Sequence, residues 1–90
     1  MIRVLYYAGV RDRAGVAETR VEGFSGTLVG LLKHLEERHG IPLADPSKAD
    51  DPFSALIIMI NGRHIEHIGG LDAPVSEGDM VSIFPLIGGG

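Results

Sequence analysis

Thr27-Leu28-Val29-Gly30-Leu31-Leu32-Lys33-His34-Leu35-Glu36-Glu37-Arg38-His39-Gly40 is the stretch on which the fold turns. Leu28, Leu31, Leu32 and Leu35 recur at i, i+3, i+4 and i+7, which makes one apolar stripe on an α-helix. Thr27 stands where a side-chain oxygen can cap the free N–H groups of the first turn. Glu36, Glu37 and Arg38 begin the polar face. Gly40 is placed to close the helix in the left-handed conformation, and Pro42 prevents continuation. A helix with one leucine stripe must bury it, and the flanking segments have to supply the surface.

Those flanks read as strands. Upstream, Ile2-Arg3-Val4-Leu5-Tyr6-Tyr7-Ala8 is rich in β-branched and aromatic residues, and Val16 to Glu22 alternates loosely through Val16, Thr19 and Val21. Gly9, Arg11-Asp12-Arg13 and Gly15 lie between them, so a β-hairpin with a polar loop is expected, followed by punctuation at Gly23 to Gly26. Downstream, residues 41–54 hold Pro42, Pro46 and Pro52 with the polar run Ser47-Lys48-Ala49-Asp50-Asp51, which reads as a surface loop. Leu56-Ile57-Ile58-Met59-Ile60 is continuously apolar and is expected to be a central strand buried on both faces. Asn61-Gly62 is the favoured centre of a type I′ turn and leads into a short strand, Arg63 to His67. Gly69-Gly70 makes another turn, and Pro74 to Asp79 a polar loop. Met80-Val81-Ser82-Ile83-Phe84-Pro85 is the last strand, with Val81 and Ile83 on one face; Pro85 has no N–H, so pairing should fade there. The order predicts an α+β fold, a mixed sheet of about four to five strands packed on one main helix. Residues 1–90 are expected to form a single domain, with 86–90 as a flexible tail.

Composition narrows the function. Ninety residues suffice for one core. The net charge is −4, and the eight basic residues are scattered, which argues against nucleic-acid binding, where clustered Lys and Arg neutralise phosphates. No apolar run approaches the roughly 20 residues of a membrane span, and no signal peptide is visible, so a cytoplasmic protein is expected. There is no cysteine, which excludes a disulfide, a thiol nucleophile and a thiolate metal site. No metal site is expected from the histidines: His64 and His67 would face opposite sides of a strand, and His34 and His39 are not at the i, i+4 spacing of a helical zinc site. His39 sits near a helix C-terminus, where even a partly protonated imidazole is favoured. Ser25, Ser47, Ser54 and Ser76 have no nucleophile signature around them, and there is no phosphate-binding glycine loop. The domain itself is therefore not expected to be an enzyme.

The end of the chain, Gly88-Gly89-Gly90, is different. A frayed end is one reading, since glycine is costly to order and chain ends are loose. The other is functional: a tail without side chains can thread a narrow channel and bring its last carbonyl close to another protein's catalytic groups. A C-terminal carboxylate is ionised at neutral pH and is a poor acyl donor. It must be activated, for example as an acyl-adenylate, and this chain has no ATP-binding motif, so a separate ATP-using partner is implied.

Four segments resemble one family. Ile2-Arg3-Val4-Leu5-Tyr6-Tyr7-Ala8-Gly9-Val10-Arg11 resembles the first strand, and the following Val-Arg, of the MoaD/ThiS family of ubiquitin-like sulfur carriers. Residues 61–72 resemble an insertion found in many of its members. Gly78-Asp79-Met80-Val81-Ser82-Ile83-Phe84-Pro85 resembles the family's closing strand, and Gly89-Gly90 falls where its diglycine falls. The MoaD branch is the nearest. The resemblance implies a β-grasp fold and a Gly90 carboxylate adenylated by a ubiquitin-activator-like enzyme that uses ATP. It further implies conversion to a thiocarboxylate and donation of sulfur to a pterin precursor in molybdopterin synthase, whose large subunit receives the tail. Phe84 and Tyr7 match family aromatics on a docking face beside the tail; plain core packing is the alternative. Other outcomes stay open: a protein modifier joined through Gly90 to lysines, a carrier for thiamine, cysteine or tRNA thiolation, or an interaction module with an inert tail.

Overall fold

The computed structural model describes residues 1–40, Leu43 and residues 56–85. Gly88, Gly89 and Gly90, the expected tail 86–90 and most of the expected loop 41–54 lie outside them.

The leucine helix is present as α2, Leu28–His39. Its Thr27 side chain accepts from the Gly30 N–H, and Gly40 closes it at φ 69° with its N–H on the Glu36 carbonyl. Leu28, Leu31, Leu32 and Leu35 are all fully buried. They pack against a five-stranded sheet of order β2-β1-β7-β4-β5, formed by β1 (Ile2–Tyr6), β2 (Glu18–Val21), β4 (Leu56–Ile60), β5 (Arg63–His64) and β7 (Met80–Pro85). The side chains of Ile2, Val4, Tyr6, Val21, Ile58, Val81 and Ile83 contribute the sheet's share of the core, with Val10, Leu43, Ala73 and Val75 among the further buried residues. β1 and β7 run parallel, and the remaining pairs are antiparallel. A mixed sheet wrapped on one main helix is the expected α+β, β-grasp arrangement.

Four readings need correction. β1 and β2 do pair antiparallel, from Ile2↔Val21 to Leu5↔Glu18, but their connection is a helix, α1 (Ala8–Ala14), and not a loop. Only Val10 and Ala14 of this helix are buried, four residues apart; two apolar positions are too few to show a helical period among Gly9, Arg11, Asp12 and Arg13. The central strand is β7, with β1 on one side and β4 on the other. β4 is fully buried on one face only, through Leu56, Ile58 and Ile60, while Ile57 and Met59 are half-buried on the opposite face. The Arg63 to His67 strand stops at His64 and passes into a 3-10 turn, Ile65–His67. Finally, Gly26–Thr27 (β3), expected as punctuation and a helix cap, and Pro74–Val75 (β6), expected in a polar loop, pair as a separate two-stranded sheet, with Thr27 still capping α2. This sheet is supported by the Leu28 N–H on the Ala73 carbonyl at 2.9 Å.

The turn at 61–62 is as expected: Asn61 and Gly62 have φ 52° and 82°. Its side chain adds a clamp that sequence did not show. Asn61 Nδ2 donates to Asp79 Oδ1 at 2.9 Å, and Asn61 Oδ1 accepts from the Met80 N–H at 2.9 Å. The start of β7 is thereby tied to the end of β4. Among the described residues no helix is long and apolar enough to cross a membrane.

Candidate functional site

β7 carries the site because it is the middle strand and the last one before the glycines. Its inward residues Val81 and Ile83 are fully buried, which turns Met80, Ser82 and Phe84 to the face away from α2. Register then determines their neighbours. Ile57 lies opposite Phe84, and Met59 opposite Ser82, on β4. On the other side Leu5 lies beside Ser82 and Tyr6 beside Ile83, so Tyr7 comes next to Phe84. The Tyr7 and Phe84 rings stack, with centroids 4.2 Å apart and planes 9° from parallel.

Tyr7 is held in place by its backbone. Its N–H donates to the Ile83 carbonyl at 3.1 Å, and its own carbonyl accepts from the Val10 N–H at 3.1 Å. Ala8 then turns sharply at φ 50°, a left-handed conformation that costs a non-glycine residue about 1 kcal/mol. The ring is 38% exposed, and Phe84 is half-buried. Neither belongs to the core, so the stack is a surface feature at the end of β7. With half-buried Leu5, Ile57, Met59 and Met80 it makes an apolar outer face around Ser82.

A charged border flanks this face on β1 and β2. Glu18 accepts from Arg3 Nη2 at 3.1 Å and from Arg20 Nε at 2.9 Å. Hydrogen bonds from Arg3 first, then from Arg20, hold the Glu18 carboxyl down to about 2. Strand alternation carries a signal for the outer face: in β1 both inward Val4 and outward Leu5 are apolar, and in β4 both Ile58 and Ile57 are. An apolar run in a strand fills both faces. The Arg3–Glu18–Arg20 cluster has no such signal, because it depends on the β1–β2 register.

The histidines make structural contacts. His39 Nε2 lies 3.1 Å from the Tyr6 hydroxyl and 2.9 Å from Thr19 Oγ1, tying α2 to β1 and β2. Burial, with a smaller contribution from Arg38, pushes its pKa down. This corrects the expectation of a favoured cationic imidazole: loss of water outweighs the helix C-terminus. His34 lies against Phe24. His64 Nδ1 accepts from the Glu66 N–H at 3.1 Å, and the His64 and His67 rings are 6.3 Å apart, nearer than a continuous strand would place them. Among the described residues no group of three or more His, Asp or Glu is arranged to hold a metal ion.

The described residues thus place an exposed apolar face where β7 ends at Pro85, next to the glycine-ending segment of the sequence. The ThiS family model matches residues 4–90. A putative sulfur carrier protein of Archaeoglobus fulgidus is 37% identical over 65 residues, which are 71% of this chain and 74% of that protein. The molybdopterin synthase sulfur carrier subunit of Escherichia coli is 29% identical over 93 residues and is matched along the full length of both chains. Among solved structures, small archaeal modifier protein 1 from Methanosarcina acetivorans superposes with a TM-score of 0.75 at 22% identity, over 99% of this chain and 95% of that one.

Proposed function

On the premise that the chain belongs to the ThiS family of ubiquitin-like sulfur carriers, we propose that it carries sulfur on Gly90 for molybdopterin synthesis. The single observation that supports this reading is the position of the Tyr7–Phe84 stack, at the end of the central strand and immediately before the glycine-ending segment. A partner seated on Tyr7, Phe84 and the surrounding apolar face has the tail at hand. The five residues after Pro85 reach at most about 18 Å when extended, which is enough to enter a neighbouring active site. Gly88 and Gly89 present no side chains to a narrow channel.

The chemistry belongs to partners. An adenylating enzyme uses ATP: the Gly90 carboxylate attacks the α-phosphorus, pyrophosphate leaves, and an acyl-adenylate forms. A sulfur donor then displaces AMP, and the carboxylate becomes a thiocarboxylate. The thiocarboxylate sulfur displaces a leaving group from a carbon of the acceptor, and water hydrolyses the resulting thioester, so the sulfur stays on the acceptor and the tail returns as a carboxylate. Molybdopterin synthesis is the pathway favoured here because a curated relative matched along its whole length is named for it. The receiving protein is then the large subunit of molybdopterin synthase.

The test is intact-mass spectrometry after incubation with the cognate activating enzyme, ATP and a sulfide source. One oxygen exchanged for sulfur, located at Gly90 by fragmentation, is the expected result. An unchanged mass refutes the carrier reading. Remnants of the tail found on lysines of other proteins, with no transfer to the pterin acceptor, refute the pathway and favour a protein modifier.

A further inference from the structure

β2 is the edge of the five-stranded sheet and pairs with β1 on one side only. The Tyr6 N–H donates to the Ala17 carbonyl at 2.9 Å. Continued through Val4↔Thr19 and Ile2↔Val21, this alternation turns the backbone groups of Ala17, Thr19 and Val21 toward β1, and those of Glu18 and Arg20 outward. Arg38, in the last turn of α2, agrees with that assignment: its Nη1 donates to the Arg20 carbonyl at 2.9 Å. The Arg20 N–H and both backbone groups of Glu18 have no protein partner among the described residues.

A groove of about 620 Å³ runs along this edge, lined by Val16, Glu18, Thr19, Arg20, Arg38 and His39. Its charge is set by the arginines. The Glu18 carboxylate is already matched by Arg3 and Arg20. Arg38 is exposed and has no carboxylate partner among the described residues. Val16, at the mouth, is 42% exposed. On a chain of net charge −4 this is a local cationic strip beside free strand-pairing groups.

We propose that this edge receives an extended acidic segment of a partner protein, added to β2 as a further strand. The segment's backbone pairs with the N–H and carbonyl of Glu18 and with the Arg20 N–H, a carboxylate of the segment meets Arg38, and an apolar side chain rests on Val16. Strand addition supplies affinity through main-chain hydrogen bonds, and side chains supply selectivity. A guanidinium has five donors, so Arg38 can keep the Arg20 carbonyl and hold a carboxylate together. In the free protein the same contact shields an otherwise sticky edge. The site lies two strands from β7 and does not require the Gly90 chemistry, so it stands or falls separately.

The test is an NMR titration of the full chain with a short capped peptide of alternating glutamate and valine. The same peptide N-methylated at alternate amides, and its lysine-for-glutamate counterpart, serve as controls. Shifts and slowed hydrogen exchange at the Glu18 and Arg20 amides are expected. Loss of two backbone hydrogen bonds should weaken binding of the N-methylated peptide at least about tenfold. Arg38→Glu should weaken the parent peptide comparably while circular dichroism stays unchanged. The peptide controls use the unaltered chain, so they decide the matter even if that variant folds poorly. No shift up to millimolar peptide, equal binding of the N-methylated peptide, or shifts centred on Tyr7 and Phe84 would each overturn the proposal.

Discussion

Phe84→Ala tests the docking face most directly. Full burial of a phenylalanine is worth about 3–5 kcal/mol on truncation. Phe84 is half-buried, so that loss scales to roughly 2 kcal/mol. The near-parallel stack on Tyr7 at 4.2 Å contributes about 1 kcal/mol of it through the ring pair itself. A small domain of ordinary stability, about 5 kcal/mol or more, remains folded after such a loss. Binding is more sensitive: an aromatic anchor inside an interface is worth about 2 kcal/mol or more, a change of about 30-fold in Kd. Two measurements follow. Urea denaturation of the parent, Phe84→Ala, Tyr7→Ala and the double variant gives the coupling energy, expected near 1 kcal/mol. Calorimetric titration with the activating enzyme gives the affinity. A Phe84→Ala chain that is folded and binds within twofold of the parent refutes the docking argument. Additive stability losses refute the assignment of energy to the stack.

Two further outcomes follow from the core and from His39. Leu35→Ala removes a fully buried side chain of α2 and should cost about 2–5 kcal/mol in urea denaturation, enough to leave the domain marginal. The His39 pKa is depressed in the folded chain, so the unfolded chain takes the proton first. Stability is therefore complete above the unfolded value of about 6.5 and declines as pH falls below it toward the folded value. His39→Gln, which can still hydrogen-bond Tyr6 and Thr19 but does not titrate, should flatten denaturation midpoints across that window; an unchanged decline would contradict the buried-imidazole account.

Local signals made part of this protein legible before any tertiary structure. The leucine stripe, the Thr27 cap and the Gly40 stop defined α2, because a helix is built from contacts within a few residues. The extent of β7 and the Asn61-Gly62 turn were readable for the same reason: alternation and positive φ are properties of adjacent residues. Tertiary structure decided what depends on register and on loss of water. α1 forms although only Val10 and Ala14 mark it, because the body of the domain buries them. Tyr7 and Phe84 meet because β1 and β7, far apart in sequence, run parallel in a register that places them side by side. The His39 pKa is pushed down because folding seats the ring beside Tyr6 and Thr19, where dehydration of the ring prevails over the helix terminus that the sequence alone made visible.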